Sequence, residues 1–226
     1  LKEKVLIIAA HPDDEILGCG GTAARYVMEN KKVYTAILGE GITSRRETRD
    51  REKDQAELDR LKEQIRRANK IIGVSDLFIH DFPDNRFDTV PLLEIVKAVE
   101  KLVFKIEPKI IFTHFGNDLN CDHRLTYQAV LTATRPIGGT TVKEIYSFET
   151  LSSTEWNFPS RFDPDVFFDI ENTLKLKMDA IKRYEKELRD FPHPRSLKGI
   201  EINAMNWGMK CGVKYAEAFK AVRILK

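Results

Sequence analysis

The chain has 226 residues, 42% apolar and 32% charged, and its 37 Lys and Arg nearly balance 35 Asp and Glu for a net charge of +2. That length suits one domain able to bury its own core, and the composition excludes disordered, collagen-like and membrane-spanning classes. So small a net charge makes no case for nucleic acid as a main partner. Val5 to Ala10 is a continuous apolar run, which reads as a strand buried on both faces. Thr22 to Asn30 is helix-like, and Val33 to Leu38 is a second short strand closed by Gly39 and Gly41. Residues 44–70 are densely charged, with Leu58, Leu61 and Ile65 at the spacing of an amphipathic helix. A strand at Leu77 to Ile79, a helix over Val90 to Lys105, a strand at Ile110 to Thr113, a helix over 123–134 and a strand at Glu144 to Phe148 follow. This alternation predicts an α/β fold, a mostly parallel sheet with helices on both faces. Beyond residue 150 a loop rich in Pro, Trp and Phe leads to a strand near 165–170, a helix over 171–188 and another from about 196. We read this part as a C-terminal cap on a core of residues 1–150, within one domain spanning 1–226.

No apolar run nears the ~18 residues of a membrane span. LKEKVLIIAA has the look of a short leader, but HPDDE follows it in place of a small-residue cleavage site. Three widely spaced cysteines, Cys19, Cys121 and Cys211, suit a reducing compartment, so the expectation is a soluble cytoplasmic protein.

In such sheets ligands sit beyond the C-terminal strand ends. There the sequence places His11 to Glu15, Gly39 to Gly41, Asp81 to Asn85 and His114 to His123. Three carboxylates packed together with an imidazole would raise one another's pKa, and a bound cation relieves that repulsion. His11 with a carboxylate of the cluster, completed by His123, would give two imidazoles and one carboxylate, a set typical of catalytic zinc. A capped helix start explains the same residues equally well, as it does Asp122 and His123. A sharper rival is Gly18-Cys19-Gly20-Gly21-Thr22-Ala23. It fits G-x-G-x-x-A, with Glu40 about twenty residues on, and would make the chain a nucleotide- or dinucleotide-binding protein. HPDDE intervenes between the strand and these glycines, which counts against it.

The run Ala10-His11-Pro12-Asp13-Asp14-Glu15, then Leu17 to Thr22 and the later Asp122-His123-Arg124, resembles the PIG-L or LmbE-like N-deacetylase family. The resemblance implies a Rossmann-like fold and zinc-dependent hydrolysis of the acetamide of an N-acetylated amino sugar or conjugate, with a metal-bound water as nucleophile. It implies His11, Asp14 and His123 as metal ligands, with Zn2+ expected and Fe2+ or another divalent first-row metal also suited. It implies Asp13 as general base and Asp122 in a catalytic role. Several relatives carry a His where this chain has Asn120, which leaves the proton donor open. His193, in Phe191 to Ser196, is a candidate, and so is Asp13 itself. Arg45, Asp84, Asn120 and Arg195 are candidate contacts for the substrate, a small N-acetylated sugar or nucleotide sugar. Trp156, Phe158 and Trp207 could offer an aromatic face but suit packing better. The oligomeric state stays open, a homo-oligomer being compatible with the resemblance.

Overall fold

The computed structural model describes residues 2–45 and 47–226. In β1 (Lys4–Ala9) Val5 and Ile7 face one hydrophobic cluster while Leu6 and Ile8 face another, so the strand is covered on both sides. It pairs in parallel with β2 (Lys32–Gly39) on one edge and β4 (Ile110–His114) on the other. β3 (Asp76–Phe82) lies outside β2, and β5 (Glu144–Phe148) outside β4, both parallel. Helices α1 (Asp14–Met28) and α2 (Arg51–Ile72) supply residues to one cluster, and α3 (Leu92–Ile106) and α4 (Cys121–Ala133) to the other. The strand order β3-β2-β1-β4-β5 reverses direction between β1 and β4, the switch point where such sheets open a crevice.

The C-terminal third differs from the expected cap. The chain runs through β6 (Val166–Asp169), α5 (Leu174–Ile181) and α6 (Leu197–Cys211) into a strand that sequence reading missed, β7 (Ala216–Ile224). β7 inserts between β5 and β6 and is antiparallel to both, so this third extends the sheet to seven strands among the described residues. Its alanines and interspersed charges gave it little strand propensity. The helix expected over 171–188 ends at Ile181, and turns carry the chain to α6.

Helix α1 also starts earlier than expected, at Asp14, and takes in the whole glycine run. It breaks at Cys19 (φ −147°, ψ 19°). Gly18 sits where a Cβ would come within 2.2 Å of the Phe148 ring, so the close helix–sheet approach there requires glycine. Among the described residues no helix is long and apolar enough to cross a membrane, and the three cysteines are free.

Candidate active site

Strand β1 ends in the crevice and hands its chain to α1, and β4 hands its own to α4. Three donor atoms from these two turns meet. His11 Nδ1 lies 3.2 Å from His123 Nε2, and Asp14 Oδ2 lies 3.4 Å from the former and 3.3 Å from the latter. Asp122 holds His11 from behind: its Oδ2 accepts from Nε2 at 2.9 Å, and its Oδ1 accepts from the Phe87 N–H at 2.9 Å. Asp118 does the same for His123, accepting from Nδ1 at 3.0 Å. A carboxylate behind each imidazole keeps the proton on the rear nitrogen and turns the front lone pair towards the other donors. Two lone pairs and a carboxylate oxygen so close together need positive charge among them.

The pKa directions agree. Burial opposes protonation of His11, but the hydrogen bonds to Asp122 and Asp14 and the Asp14 and Asp84 charges hold it well above its usual value. Burial likewise opposes protonation of His123, and the Asp14 charge and the Asp118 contact reverse it. Burial alone would raise Asp118, yet the hydrogen bond and charge of His123 and the hydroxyls of Ser153 and Thr154 bring it to about 2. A divalent cation suits this surplus of carboxylate. Ligand atoms roughly 2.0–2.2 Å from a tetrahedral zinc stand roughly 3.3–3.6 Å apart, so the donor set and its spacing fit such an ion.

Asp13 occupies the N-cap of α1 in the left-handed region, φ 96°, and makes no side-chain cap. A non-glycine residue held there stores strain that the surroundings must maintain. Glu15 maintains it: its Oε2 accepts from the Asp13 N–H at 3.0 Å, while Oε1 accepts from Asn69 Nδ2 at 2.9 Å and from the Tyr184 hydroxyl. Burial raises the Glu15 pKa to about 7 against those hydrogen bonds. The Asp13 carboxyl lines the cavity with Arg195 Nη1 3.2 Å from its Oδ2. Burial and the neighbouring carboxylates push its pKa well up, against the Arg195 charge.

The cavity above these groups measures about 180 Å³. Arg45, Asp84, Asn120 and Arg195, all expected from the sequence, line it. Asp84 Oδ2 accepts from Ser44 N–H and Oγ at 3.0 and 2.6 Å. Asn120 caps α4 by accepting from the Asp122 N–H at 2.8 Å, and its amide donates to Asn85 Oδ1 at 2.7 Å. Glu187, which the sequence did not suggest, lines the cavity and ion-pairs with Arg45 and, at 3.7 Å, with Arg195.

Two expectations meet a different arrangement. Asp122 is fully buried behind His11 and does not line the cavity. His193 is also outside its walls: Nδ1 accepts from the Arg195 N–H at 3.1 Å, and the ring stands edge-on to Trp156. The tight Pro-flanked turn uses the histidine to point Arg195 inward instead. Trp156, Phe158 and Trp207 do not line the cavity, and Trp207 packs against Phe162 and Phe167 in line with the packing role preferred for it.

Sequence reading placed His114 and Asp118 at the ligand edge of the sheet but gave neither a role of its own. His114 is buried with its ring stacked on His123, centroids 3.9 Å apart. Its Nε2 accepts from the Ala10 N–H at 2.8 Å, so Nδ1 carries the proton towards Thr150 Oγ1 at 3.2 Å and the ring is neutral. Burial and the His123 charge keep its pKa well below the usual value. His114 closed an apolar run and Asp118 sat in a loop, so neither had a spacing that marked it.

The glycine run binds an anion, but one supplied by the chain itself. The N–H groups of Gly21 and Thr22, freed by the break at Cys19, donate to the Glu217 carboxylate at 2.9 and 2.7 Å. Lys177 Nζ donates to Glu217 at 2.6 Å and to the Leu17 carbonyl at 2.7 Å, all of it buried. Glu40 is occupied too, by Arg49 at 2.7 and 2.9 Å, Arg51 at 3.0 Å and the Thr43 hydroxyl. The nucleotide-binding arrangement is thus already filled at both its anion site and its acidic residue.

Fold and site together define an α/β protein with a buried two-imidazole, one-carboxylate cluster at the sheet's switch point. Residues 6–134 match the family model PIG-L, described as GlcNAc-PI de-N-acetylase, and the chain belongs to that family. A diacetylchitobiose deacetylase of Thermococcus kodakarensis is 26% identical over 228 residues, covering 97% of this chain and 83% of that one. Among solved structures, an N,N'-diacetylchitobiose deacetylase from Pyrococcus horikoshii superposes with a TM-score of 0.78 at 20% identity, covering 98% of this chain and 84% of that one. GalB, the 4-carboxy-2-hydroxymuconate hydratase of Pseudomonas putida KT2440, does so with 0.75 at 19% identity, covering 99% and 98%. The fold therefore recurs around more than one reaction.

Proposed function

We propose that this chain is a metal-dependent hydrolase that removes the acetyl group from an N-acetylated amino sugar or sugar conjugate, working as one domain over 1–226. The observation that carries this reading is the convergence of His11 Nδ1, Asp14 Oδ2 and His123 Nε2 within 3.2–3.4 Å of one another at the floor of the cavity. These three residues would hold the metal, Zn2+ or another divalent first-row ion such as Fe2+. A divalent ion there supplies Lewis acidity for the amide carbonyl and for water.

The rest of the reaction falls to the protein's own groups. Asp13 is the base: it takes a proton from water as the water oxygen bonds to the acetamide carbon. The carbon–nitrogen bond then breaks, and Asp13 returns the proton to the departing amine, which an unprotonated leaving group would require. With His193 outside the cavity, Asp13 serves in both directions. Arg195 keeps the Asp13 carboxyl oriented and offers a guanidinium N–H to substrate oxygen. Asp118 and Asp122 are positioning residues that fix the tautomers of His123 and His11. Arg45, Asp84 and Asn120 contact hydroxyls of the sugar from the cavity walls. A cytoplasmic location and a small-molecule substrate complete the reading.

Elemental analysis of wild type and His123→Ala tests it. About one zinc or iron per chain is expected in wild type and little in the variant. Acetate release from a panel of N-acetyl sugars and nucleotide sugars should appear only with loaded wild type. A wild-type protein that takes up no metal even after incubation with zinc would overturn the proposal.

A further inference from the structure

The left-handed backbone of Asp13 is held from a distance. Its N–H donates to Glu15 Oε2 at 3.0 Å, and a glutamate side chain left to its own rotamers would not keep that acceptor in place. Glu15 is fixed through its other oxygen. Oε1 accepts from Asn69 Nδ2 on α2 at 2.9 Å and from the Tyr184 hydroxyl, in the turn that follows α5. Two donors on Oε1 set the plane of the carboxylate, and Oε2 is then left facing the Asp13 N–H. Asn69 is itself oriented for this contact. Its Nδ2 also donates to the Ile65 carbonyl at 3.0 Å, while its Oδ1 has no partner among the described residues. A buried amide oxygen without a donor costs stability, and the orientation is kept because it presents Nδ2 to Glu15.

Tyr184 differs from a tyrosine that merely fills the core in where its chain leads. The ring is fully buried in the cluster that α1 and α2 share. Three residues on, the Glu187 N–H donates to the Tyr184 carbonyl at 3.0 Å, and the Glu187 carboxylate lies 3.7 Å from Arg195 Nη1. That guanidinium nitrogen lies 3.2 Å from Asp13 Oδ2. The segment 182–196 therefore holds Asp13 at both ends, at the N–H through Tyr184 and Glu15, and at the carboxyl through Arg195.

We infer that Tyr184 is a positioning residue for the base: its hydroxyl fixes Glu15, Glu15 fixes the strained backbone of Asp13, and the Asp13 carboxyl is thereby aimed into the cavity. The inference rests on the reading of Asp13 as the base of the deacetylase. A positive φ at a non-glycine residue persists only where its surroundings enforce it, and the enforcing contact here reaches across 169 residues of chain.

Tyr184→Phe tests this, since it keeps the ring in the core and removes only the hydroxyl. Per metal-loaded protein, kcat for acetate release should fall about 10–100-fold with KM and metal content unchanged, as for a group whose misplacement is felt only in the transition state. Because Tyr184 acts through Asp13, adding Tyr184→Phe to Asp13→Asn should leave the residual rate within about twofold of that of Asp13→Asn alone. Hydrogen exchange at the Asp13 N–H, followed by NMR, is independent of turnover and should be about tenfold faster in Tyr184→Phe, with the amides of β1 unchanged. Asn69→Ala, which loosens Glu15 Oε1 from the α2 side, should shift both readouts the same way. Unchanged exchange at Asp13, a wild-type kcat in Tyr184→Phe, or a loss that recurs in full on the Asp13→Asn background would overturn the inference. A wild type that releases no acetate would remove the deacetylase reading, and faster Asp13 exchange in Tyr184→Phe would then still uphold the tether.

Discussion

Helix α1 carries a charged constellation on each side of its break at Cys19, and the two are built in opposite ways. At its start, carboxylates outnumber the groups that could neutralise them: Asp14, Asp84, Asp118 and Asp122 surround two imidazoles, and the cluster opens onto a cavity. At the break, one carboxylate, one ammonium, two freed N–H groups and one freed carbonyl satisfy one another and are buried. Both stretches, His11 to Glu15 and Gly18 to Ala23, read as ligand-binding in the sequence. What separates them is the balance of partners. The first gathers more carboxylate than its two imidazoles can balance and opens onto a cavity, whereas in the second the Glu217 carboxylate, the Lys177 ammonium and the freed backbone groups satisfy one another inside the core.

The comparison is broken most severely at the open end. Asp13→Asn removes the base without touching the three donor atoms, so acetate release should fall by about 10²–10⁴-fold with metal content unchanged. Unimpaired turnover in a metal-loaded Asp13→Asn protein would mean that another group moves the proton. At the closed end the loss should appear in stability. Glu217→Ala leaves the buried Lys177 ammonium uncompensated and two helix N–H groups without acceptors, which should cost about 3–5 kcal/mol. Urea unfolding would show it, with metal still bound below the transition; an unchanged midpoint would mean that Lys177 finds another partner. A smaller effect is expected behind the ligands. Asp118→Asn keeps the shape but weakens the hold on the His123 tautomer, so zinc affinity measured by chelator competition should drop about 10–100-fold. If affinity holds, Ser153 and Thr154 alone orient the loop.

How much of this was readable in advance follows from sequence distance. The run of His11 to Glu15 after an apolar strand, and an acid–histidine pair at a second strand end, placed the cluster, because parallel sheets bring successive C-terminal strand ends together. The donor atoms' partners were harder. Asp118 lies five residues before His123, but a loop aspartate before a helix has an ordinary capping role, and Asn120 turned out to be the cap. Glu217 lies 196 residues from Gly21 on a strand whose alanines hid it, so the anion that fills the glycine run was invisible. His193 was harder to place from the sequence for a local reason: the Pro-flanked turn lends the ring's Nδ1 to the Arg195 N–H, a contact that the run of residues does not announce. Alternation fixed the parallel core, whereas the antiparallel extension depended on β7, which joins β5 and β6 across a long separation.

The smallest expected effect is no effect, and it sharpens the contrast most directly. If the freed N–H groups of Gly21 and Thr22 were a phosphate site, NAD or ATP should stabilise the protein, since a ligand at one hundred times its Kd adds about 2.7 kcal/mol to the folded state. Any such ligand would first have to displace Glu217, which is buried, bound by both N–H groups and paired with Lys177 at 2.6 Å. Displacement would strand a carboxylate and an ammonium in the core at a cost exceeding what one phosphate gains from two N–H donors. Thermal unfolding with either nucleotide at millimolar concentration, with magnesium withheld, should therefore match that of the protein alone. The Glu217→Ala protein supplies the complementary arm. Its Lys177 and two N–H groups are uncovered, so inorganic phosphate should stabilise it more than it stabilises wild type. A nucleotide-dependent shift in wild type that persists in His123→Ala would place the ligand at the glycine run and reverse the assignment of open and closed ends.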